Sequence, residues 1–112
     1  MGNINTPTVC GNFIEDKIDF DFYKALFDPV RSQILVFIAS NGKKSISEIA
    51  KNFTQDRSVI SRHLDLMYRY GIVQKTKNNR FVYYEVNSTF ILKKFEETTQ
   101  NLNDLIHIKQ LA

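Results

Sequence analysis

The stretch DRSVISRHLDLMYRYGIV, residues 56–73, presents two different faces when it is wound into a helix. Positions i, i+4, i+7 and i+8 are apolar and share one face; they are Ile60, Leu64, Met67 and Tyr68. The opposite face holds Ser58, Arg62, Asp65 and Arg69. Because an apolar face must be buried, this pattern predicts a helix with one packed side and one cationic side available to a partner.

The length and composition indicate one soluble globular domain. A chain of 112 residues has room for one modest core, and 43% hydrophobic with 24% charged residues is ordinary for such a protein. The sequence has no apolar run long enough to cross a bilayer and does not begin like a secretory signal. Its one cysteine, Cys10, excludes an internal disulfide. We therefore expect a cytoplasmic protein with no membrane partner, although Met1-Gly2-x-x-x-Thr6 does match the short N-myristoylation consensus.

The net charge of +3 is unevenly distributed along the chain. Residues 1–28 carry five acids against two bases, whereas residues 57–80 carry six bases against Asp65 alone. A local basic patch within an otherwise balanced protein is typical of a polyanion partner, though a solvated surface can look the same.

Capping signals divide the first part of the chain into helices. Residues 1–14 are interpreted as a flexible arm, and residues 18–27 as a helix whose alternating start is also compatible with a short strand. Asp28 followed by Pro29 predicts the start of a second helix that ends at Asn41-Gly42. Ser45 and Glu48 form a capping box for a third helix, and Asp56 is the predicted N-cap of the fourth, which ends at Tyr70-Gly71.

After Gly71 the apolar period changes from that of a helix to that of a strand. IVQKTK and FVYYEV read as two strands joined by a tight turn at 78–80, and a long helix capped by Asn87 or Ser88 follows. The predicted order is α-α-α-α-β-β-α within one domain, residues 15–108, with a tail at 109–112. The fold class is therefore mainly α with a small β-hairpin wing, a winged helix-turn-helix.

In a helix-turn-helix the second helix lies in the major groove of DNA, and a hairpin behind it serves as a wing. The predicted recognition helix is residues 56–70 and the wing is residues 72–86. Arg62 has the planar fork that pairs with guanine, whereas Arg69 and the wing cations are expected at phosphates or in the minor groove. The predicted DNA-binding residues are Gln55, Arg57, Ser58, Val59, Ser61, Arg62, His63, Arg69, Lys75, Lys77 and Arg80.

Residues 20–106 resemble the ArsR/SmtB family of winged-helix repressors. The resemblance is carried by DPVRSQIL (28–35), SISEIAKNF (45–53), SVISRHLDLMYRYGIV (58–73) and NNRFVYYEV (78–86). It implies a homodimer that binds a near-palindromic DNA operator and represses transcription until an inducer, which the sequence does not identify, arrives. The apolar first and last helices support a dimer independently. The predicted dimer interface is Phe20, Tyr23, Leu26, Phe27, Ile91, Phe95, Leu102, Leu105 and Ile106.

Two metal sites known in this family lack their ligands in this sequence. The Cys-x-Cys position of the third helix is occupied by Ser45-Ile46-Ser47, and hydroxyls are poor ligands for thiophilic ions. The ligand pairs of the last helix fall on Ser88 with Phe90 and on Asn101 with Asp104. We therefore predict no metal and no cofactor. Asp104 with His107, or Cys10 across a dimer, are the alternatives.

The residues also argue against an enzyme. The sequence has no Gly-rich phosphate loop, no recognisable Ser/His/Asp set and no carboxylate cluster. The competing interpretation is a sequence-independent DNA architectural protein or a winged-helix protein-interaction module. The combination of Arg62 with Arg80 favours the regulator over a protein-docking module, and sequence preference separates it from the architectural protein.

Overall fold

The computed structural model describes the backbone of residues 17–111 and the side chains of residues 17–108. The elements in chain order are α1 Phe20–Leu26, α2 Pro29–Asn41, β1 Lys44–Ser45, α3 Ile46–Ala50, α4 Arg57–Arg69, β2 Val73–Asn78, β3 Phe81–Val86 and α5 Ser88–Leu111. The predicted order of helices and strands is confirmed, and β1 is an additional short strand. None of the helices in the described part of the chain is long and apolar enough to span a membrane.

The chain divides into two compact units. The core unit comprises residues 21–91, and the terminal unit comprises residues 1–20 with 92–112. Within the described part of the terminal unit, Lys94 Nζ donates to Asp19 Oδ2 at 2.8 Å, and Asn101 Nδ2 donates to the carbonyl of Lys17 at 2.6 Å. These bonds attach residues 17–19 to α5. The predicted arm over residues 1–14 lies outside the described residues, and the division into arm, domain 15–108 and tail stays a prediction.

The buried apolar residues of the described chain all belong to the core unit. Ile60, Leu64 and Met67 of α4 are each 0% exposed, which confirms the buried face predicted for this helix. The prediction that Tyr68 is buried with them was wrong, because its side chain is 48% exposed. At about 100° per residue Tyr68 lies at the edge of the apolar arc, so its ring is left at the surface.

The helix starts follow the capping signals in two of three cases. Asp28 Oδ2 accepts from the backbone N–H of Val30 at 3.0 Å and of Arg31 at 3.1 Å, which lowers the pKa of the Asp28 carboxyl, the bond from Arg31 contributing most. The capping box of Ser45 and Glu48 is complete. Asp56 occupies the N-cap position of α4, but its side chain accepts no hydrogen bond there. Asp56 therefore marks the start of the helix without capping it.

Replacing Ser45 by alanine is expected to lower the free energy of unfolding by about 1 kcal/mol. The substitution removes the oxygen that accepts from the backbone N–H of Glu48 at 3.3 Å, so that N–H loses its partner. The measurement is urea unfolding followed by circular dichroism. Ser40→Ala, at an exposed position of α2, is the control and is expected to cause no loss. Equal losses from both substitutions would show that the cap contributes nothing specific.

The three strands form one antiparallel sheet in the order β1-β3-β2. The two wing strands turn at Asn79, whose φ of 59° is in the left-handed region that asparagine tolerates. In β1, Lys44 pairs with Tyr84 and Ser45 with Tyr83. The middle of β3 is thereby paired with the segment that begins α3. A two-residue polar strand has no apolar alternation, so β1 could not be found by periodicity.

Helix α5 begins at Ser88. Of Asn87 and Ser88, the two candidate capping residues in the sequence, Asn87 is the cap. Asn87 Oδ1 accepts from the backbone N–H of Phe90 at 3.4 Å. The segment 20–26, which was also compatible with a strand, is a helix.

Candidate nucleic-acid interface

Helix α4 presents a cationic face on a firmly packed base. Its three core residues are completely buried, whereas Ser58, Arg62, Asp65 and Arg69 are exposed on the other side. Because the buried face is fixed by packing, the backbone of α4 moves little. The exposed side chains therefore start from defined positions. Within the described chain, the Arg62 guanidinium makes no hydrogen bond or ion pair, so all of its donors are available.

The predicted DNA-binding residues differ in how accessible they are. The exposed ones are Arg57, Ser58, Arg62, Arg69, Lys75, Lys77 and Arg80. The half-buried ones are Gln55, Val59, Ser61 and His63. The arginines and lysines of this set therefore lie at the surface. The four half-buried side chains are partly packed inside the protein. Their contacts with DNA stay predictions.

Arg57 forms a hydrogen bond between the two helices of the helix-turn-helix. Its Nη1 donates to Ser47 Oγ at 2.6 Å, across the turn that separates α3 from α4. Both residues are exposed, so the bond is accessible to solvent. Arg57 can contact a phosphate while keeping this bond, since a guanidinium has five N–H donors.

His63 faces α2 rather than open solvent. Its Nδ1 lies 3.2 Å from Nη1 of Arg31. Because a guanidinium can only donate, His63 Nδ1 must be the acceptor, and the ring proton is on Nε2. Burial lowers the pKa of the His63 imidazole below its ordinary value, the charges of Arg31 and Arg62 lower it further, and Asp28 opposes the change. The ring is therefore neutral at pH 7.

The wing and α4 contact each other through Lys75. Its Nζ lies 4.3 Å from the centroid of the Tyr68 ring and 3.9 Å from Asp65 Oδ1, both on α4. The register places Lys75 opposite Tyr84 and Lys77 opposite Val82, so the two lysines share the face of the wing that carries the buried Tyr84. Lys75 thus holds the wing against the recognition helix.

The tip of the wing combines a cation with an aromatic ring. Arg80 lies in the turn, and its Cζ is 5.8 Å from the centroid of the Phe81 ring. Phe81 is 52% exposed and lies 6.5 Å from Tyr83 between ring centroids. Arg80 can therefore reach outward from the hairpin while its planar group stays close to a ring.

Sequence reasoning missed the residues that hold the predicted contacts in place. They are Ser47 for Arg57, Arg31 for His63, and Tyr68 with Asp65 for Lys75. The separations reach 32 residues, so no local pattern announces these pairs.

The predicted dimer residues are placed differently in the two units. In the core unit, Phe27 is 64% exposed, Tyr23 and Ile91 pack against the core, and Leu26 is 8% exposed within that core. In the terminal unit, Phe20, Phe95, Leu102 and Ile106 are exposed and Leu105 is half-buried. Leu92, which was not among the predicted set, is 58% exposed. Leu26 therefore contributes to the core of its own chain.

The positions of the two family metal sites do not fit a metal ion. The Ser45 hydroxyl serves the capping box and the Ser47 hydroxyl accepts from Arg57, so both act as hydrogen-bonding groups. Phe90 has no ligand atom, and its ring packs 6.0 Å from that of Phe22. Among the residues with described side chains, no three His, Cys, Asp or Glu residues come together in a group that could hold a metal.

Comparison with known proteins identifies the family. A family model described as bacterial regulatory protein, arsR family, matches residues 28–75. The chain is 30% identical over 66 residues to an uncharacterized HTH-type transcriptional regulator of Methanocaldococcus jannaschii, a match that covers 59% of this chain and 74% of that relative. The chain belongs to the ArsR family. As a member of the ArsR family it is a DNA-binding transcriptional regulator.

Further similarities support membership of the ArsR family. The transcriptional repressor SdpR of Bacillus subtilis is 29% identical over 69 residues, which is 62% of this chain and 76% of SdpR. The solved ArsR-like transcriptional regulator from Rhodococcus sp. RHA1 is 25% identical and superposes with a TM-score of 0.68, over 83% of this chain and 91% of that structure. The match at residues 28–75 runs from the start of α2 into β2, so it contains the whole helix-turn-helix.

Proposed function

We propose that the protein is a homodimeric repressor that binds a near-palindromic operator, with α4 in the major groove and the β2–β3 wing on the flanking backbone. The observation that carries this proposal is the presentation of Arg62 from a helix whose opposite face is completely buried. Arg62 has the geometry to pair with guanine O6 and N7. Arg69, Lys77 and Arg80 would supply phosphate contacts around it.

The exposed apolar stripe of α5 supports the dimer. Leu92, Phe95, Leu102 and Ile106 are 58, 40, 42 and 51% exposed and recur at helical spacing, so they lie on one side of the helix. A second copy of the chain would cover this stripe. A twofold axis would then set the two recognition helices about one turn of DNA apart, ~34 Å.

We propose further that DNA binding needs no metal. Ser45, Ser47 and Phe90 replace the ligands of the two family sites, and each already has a structural role. On this proposal the protein acts in the cytoplasm by binding rather than by catalysis, and a signal other than a thiophilic metal releases the operator.

Selection from a random-sequence duplex library with the full chain tests the function directly. We expect an enriched duplex with two inverted half-sites, bound at least about a thousandfold more tightly than its scrambled counterpart. Fluorescence anisotropy would measure the affinities, and sedimentation would give two protomers per duplex. Neither a chelator nor added zinc is expected to change the affinities or the number of protomers per duplex. Equal affinity for both duplexes with a steep salt dependence would instead indicate an architectural protein.

A further inference from the structure

One guanidinium joins three elements of the core unit. Arg31 Nε donates to the carbonyl of Ala25 at 2.7 Å, and Nη2 approaches the carbonyl of Lys24 at 3.4 Å, both near the end of α1. Nη1 donates to His63 Nδ1 on α4 at 3.2 Å. The Asp28 carboxylate, which caps α2, lies 3.9 Å from Nη2. Arg31 itself is on α2, so this side chain links α1, α2 and the recognition helix.

The linkage is largely protected from water. The Arg31 side chain is 14% exposed, and the His63 side chain is half-buried beside it. Hydrogen bonds that involve a charged donor are stronger than neutral ones, particularly where water is excluded. His63 directly follows Arg62, so the bond to Arg31 is made one residue from the predicted base-reading side chain.

We propose that Arg31 and the neutral His63 are positioning residues, which fix the rotation of α4 about its axis so that Arg62 points at base edges. The inference rests on the proposed DNA-reading function. Ile60, Leu64 and Met67 press the helix onto the core through apolar contacts, which are non-directional. A hydrogen bond to His63 is directional, so it can select one rotation among those that the apolar packing permits.

The positioning requires an unprotonated His63. A proton on Nδ1 removes the only acceptor that the ring offers to Arg31 and places a second cation against the guanidinium. The charged groups that act on this imidazole are Arg31 and Asp28 from the side of α2 and Arg62 on its own helix; α1 contributes the two carbonyls that hold Arg31. The sum of these charges and of burial keeps the ring neutral at pH 7 and lets it protonate only below its ordinary pKa of 6.5.

The direction of the pH effect distinguishes positioning from phosphate contact. A His63 that merely touched phosphate would gain a charge on protonation, so affinity would rise for every duplex as the pH falls. A positioning His63 would lose its bond to Arg31, so the preference for the selected duplex over the scrambled one would fall. We expect this preference to fall about tenfold, the value of one charge-assisted hydrogen bond, as His63 becomes protonated below its ordinary pKa of 6.5.

The experiment measures both affinities from about pH 7.5 down through the protonation of His63, for the wild-type chain and His63→Asn. Asparagine places its Oδ1 near the position of Nδ1 and does not titrate, so the pH dependence of the preference should be lost in His63→Asn. His107→Asn is the matched control, because His107 is exposed on α5, and it should keep the wild-type profile. A wild-type preference that stays flat or rises while ring NMR shows His63 becoming protonated would overturn the positioning role.

A measurement on the wild-type chain alone keeps the proposal testable if a variant fails to fold. Long-range ¹⁵N NMR of the histidine rings reports which ring nitrogen carries the proton. We expect His63 to be protonated on Nε2 only at pH 7; a proton on Nδ1 would overturn the proposal. The absence of any enriched duplex would count against the DNA-reading function itself, whereas an enriched duplex with the wrong pH behaviour would count only against the Arg31–His63 inference.

Discussion

Replacing Arg62 by alanine is expected to lower the preference for the selected duplex over its scrambled counterpart by about 1–3 kcal/mol. The side chain is exposed on the free face of α4, and within the described chain it makes no hydrogen bond or ion pair that the substitution would break. The fold should therefore persist, and the loss should fall on base recognition. Anisotropy titrations with both duplexes at one salt concentration give the two free energies.

Arg80→Ala is the matched control for Arg62→Ala. Arg80 is also an exposed arginine, but it lies in the turn of the wing, where a phosphate contact is expected. Its loss should weaken binding to both duplexes by similar factors and reduce the slope of log K against log salt by about 1. If Arg62→Ala weakened both duplexes equally and Arg80→Ala did the same, α4 would not be reading bases.

Replacing Gly71 by alanine is expected to lower the free energy of unfolding by about 2–5 kcal/mol, from a left-handed backbone and a steric clash together. Gly71 has a φ of +79°, and a Cβ at this position would lie 2.7 Å from Cε2 of Phe90. The backbone cannot relax easily, because Gly71 N–H donates to Tyr68 O and Ile72 N–H donates to Met67 O, which is the Schellman arrangement that ends α4. Urea unfolding followed by circular dichroism measures the loss.

Two further variants separate the contributions to the Gly71→Ala loss. Gly42→Ala introduces a side chain at a φ of +81° with nothing within 4 Å of the new Cβ, so it reports backbone strain without a clash. Phe90→Leu in the Gly71→Ala background makes room for the new methyl group and should restore part of the stability. If Phe90→Leu restored none of it, the contact between Gly71 and Phe90 would have no part in the loss.

Local signals in the sequence were sufficient for the five helices and the two wing strands. The 3.6-residue period placed Ile60, Leu64 and Met67 on the buried face of α4, and the structure confirms that face. The capping box at Ser45 and the proline after Asp28 located two helix starts, because a cap is satisfied by atoms two or three residues away. The change of apolar period after Gly71 predicted the two wing strands, because successive side chains of a strand point to opposite faces.

The errors and omissions occurred where local residue type does not decide which contact a residue makes. Tyr68 belongs to the apolar pattern of α4, yet its ring is at the surface beside Lys75 of β2. Asp56 has the right chemistry for an N-cap, but its side chain does not bond to the helix it begins. Strand β1 exists because β3 passes beside Lys44 and Ser45, and neither residue shows this in sequence.

The sequence by itself determined the order of the helices and of the two wing strands, the two faces of α4, and the family. Each of these depends on residue type at short spacing. Only the tertiary structure decided which cations are held by other side chains. Arg57 is bonded to Ser47, Lys75 lies against Tyr68, and His63 is joined to Arg31 across 32 positions of sequence. The physical reason is that a side-chain hydrogen bond or cation–π contact requires two groups within a few ångströms. Groups that are distant in sequence come that close only because the core packs, and no local sequence pattern encodes their proximity.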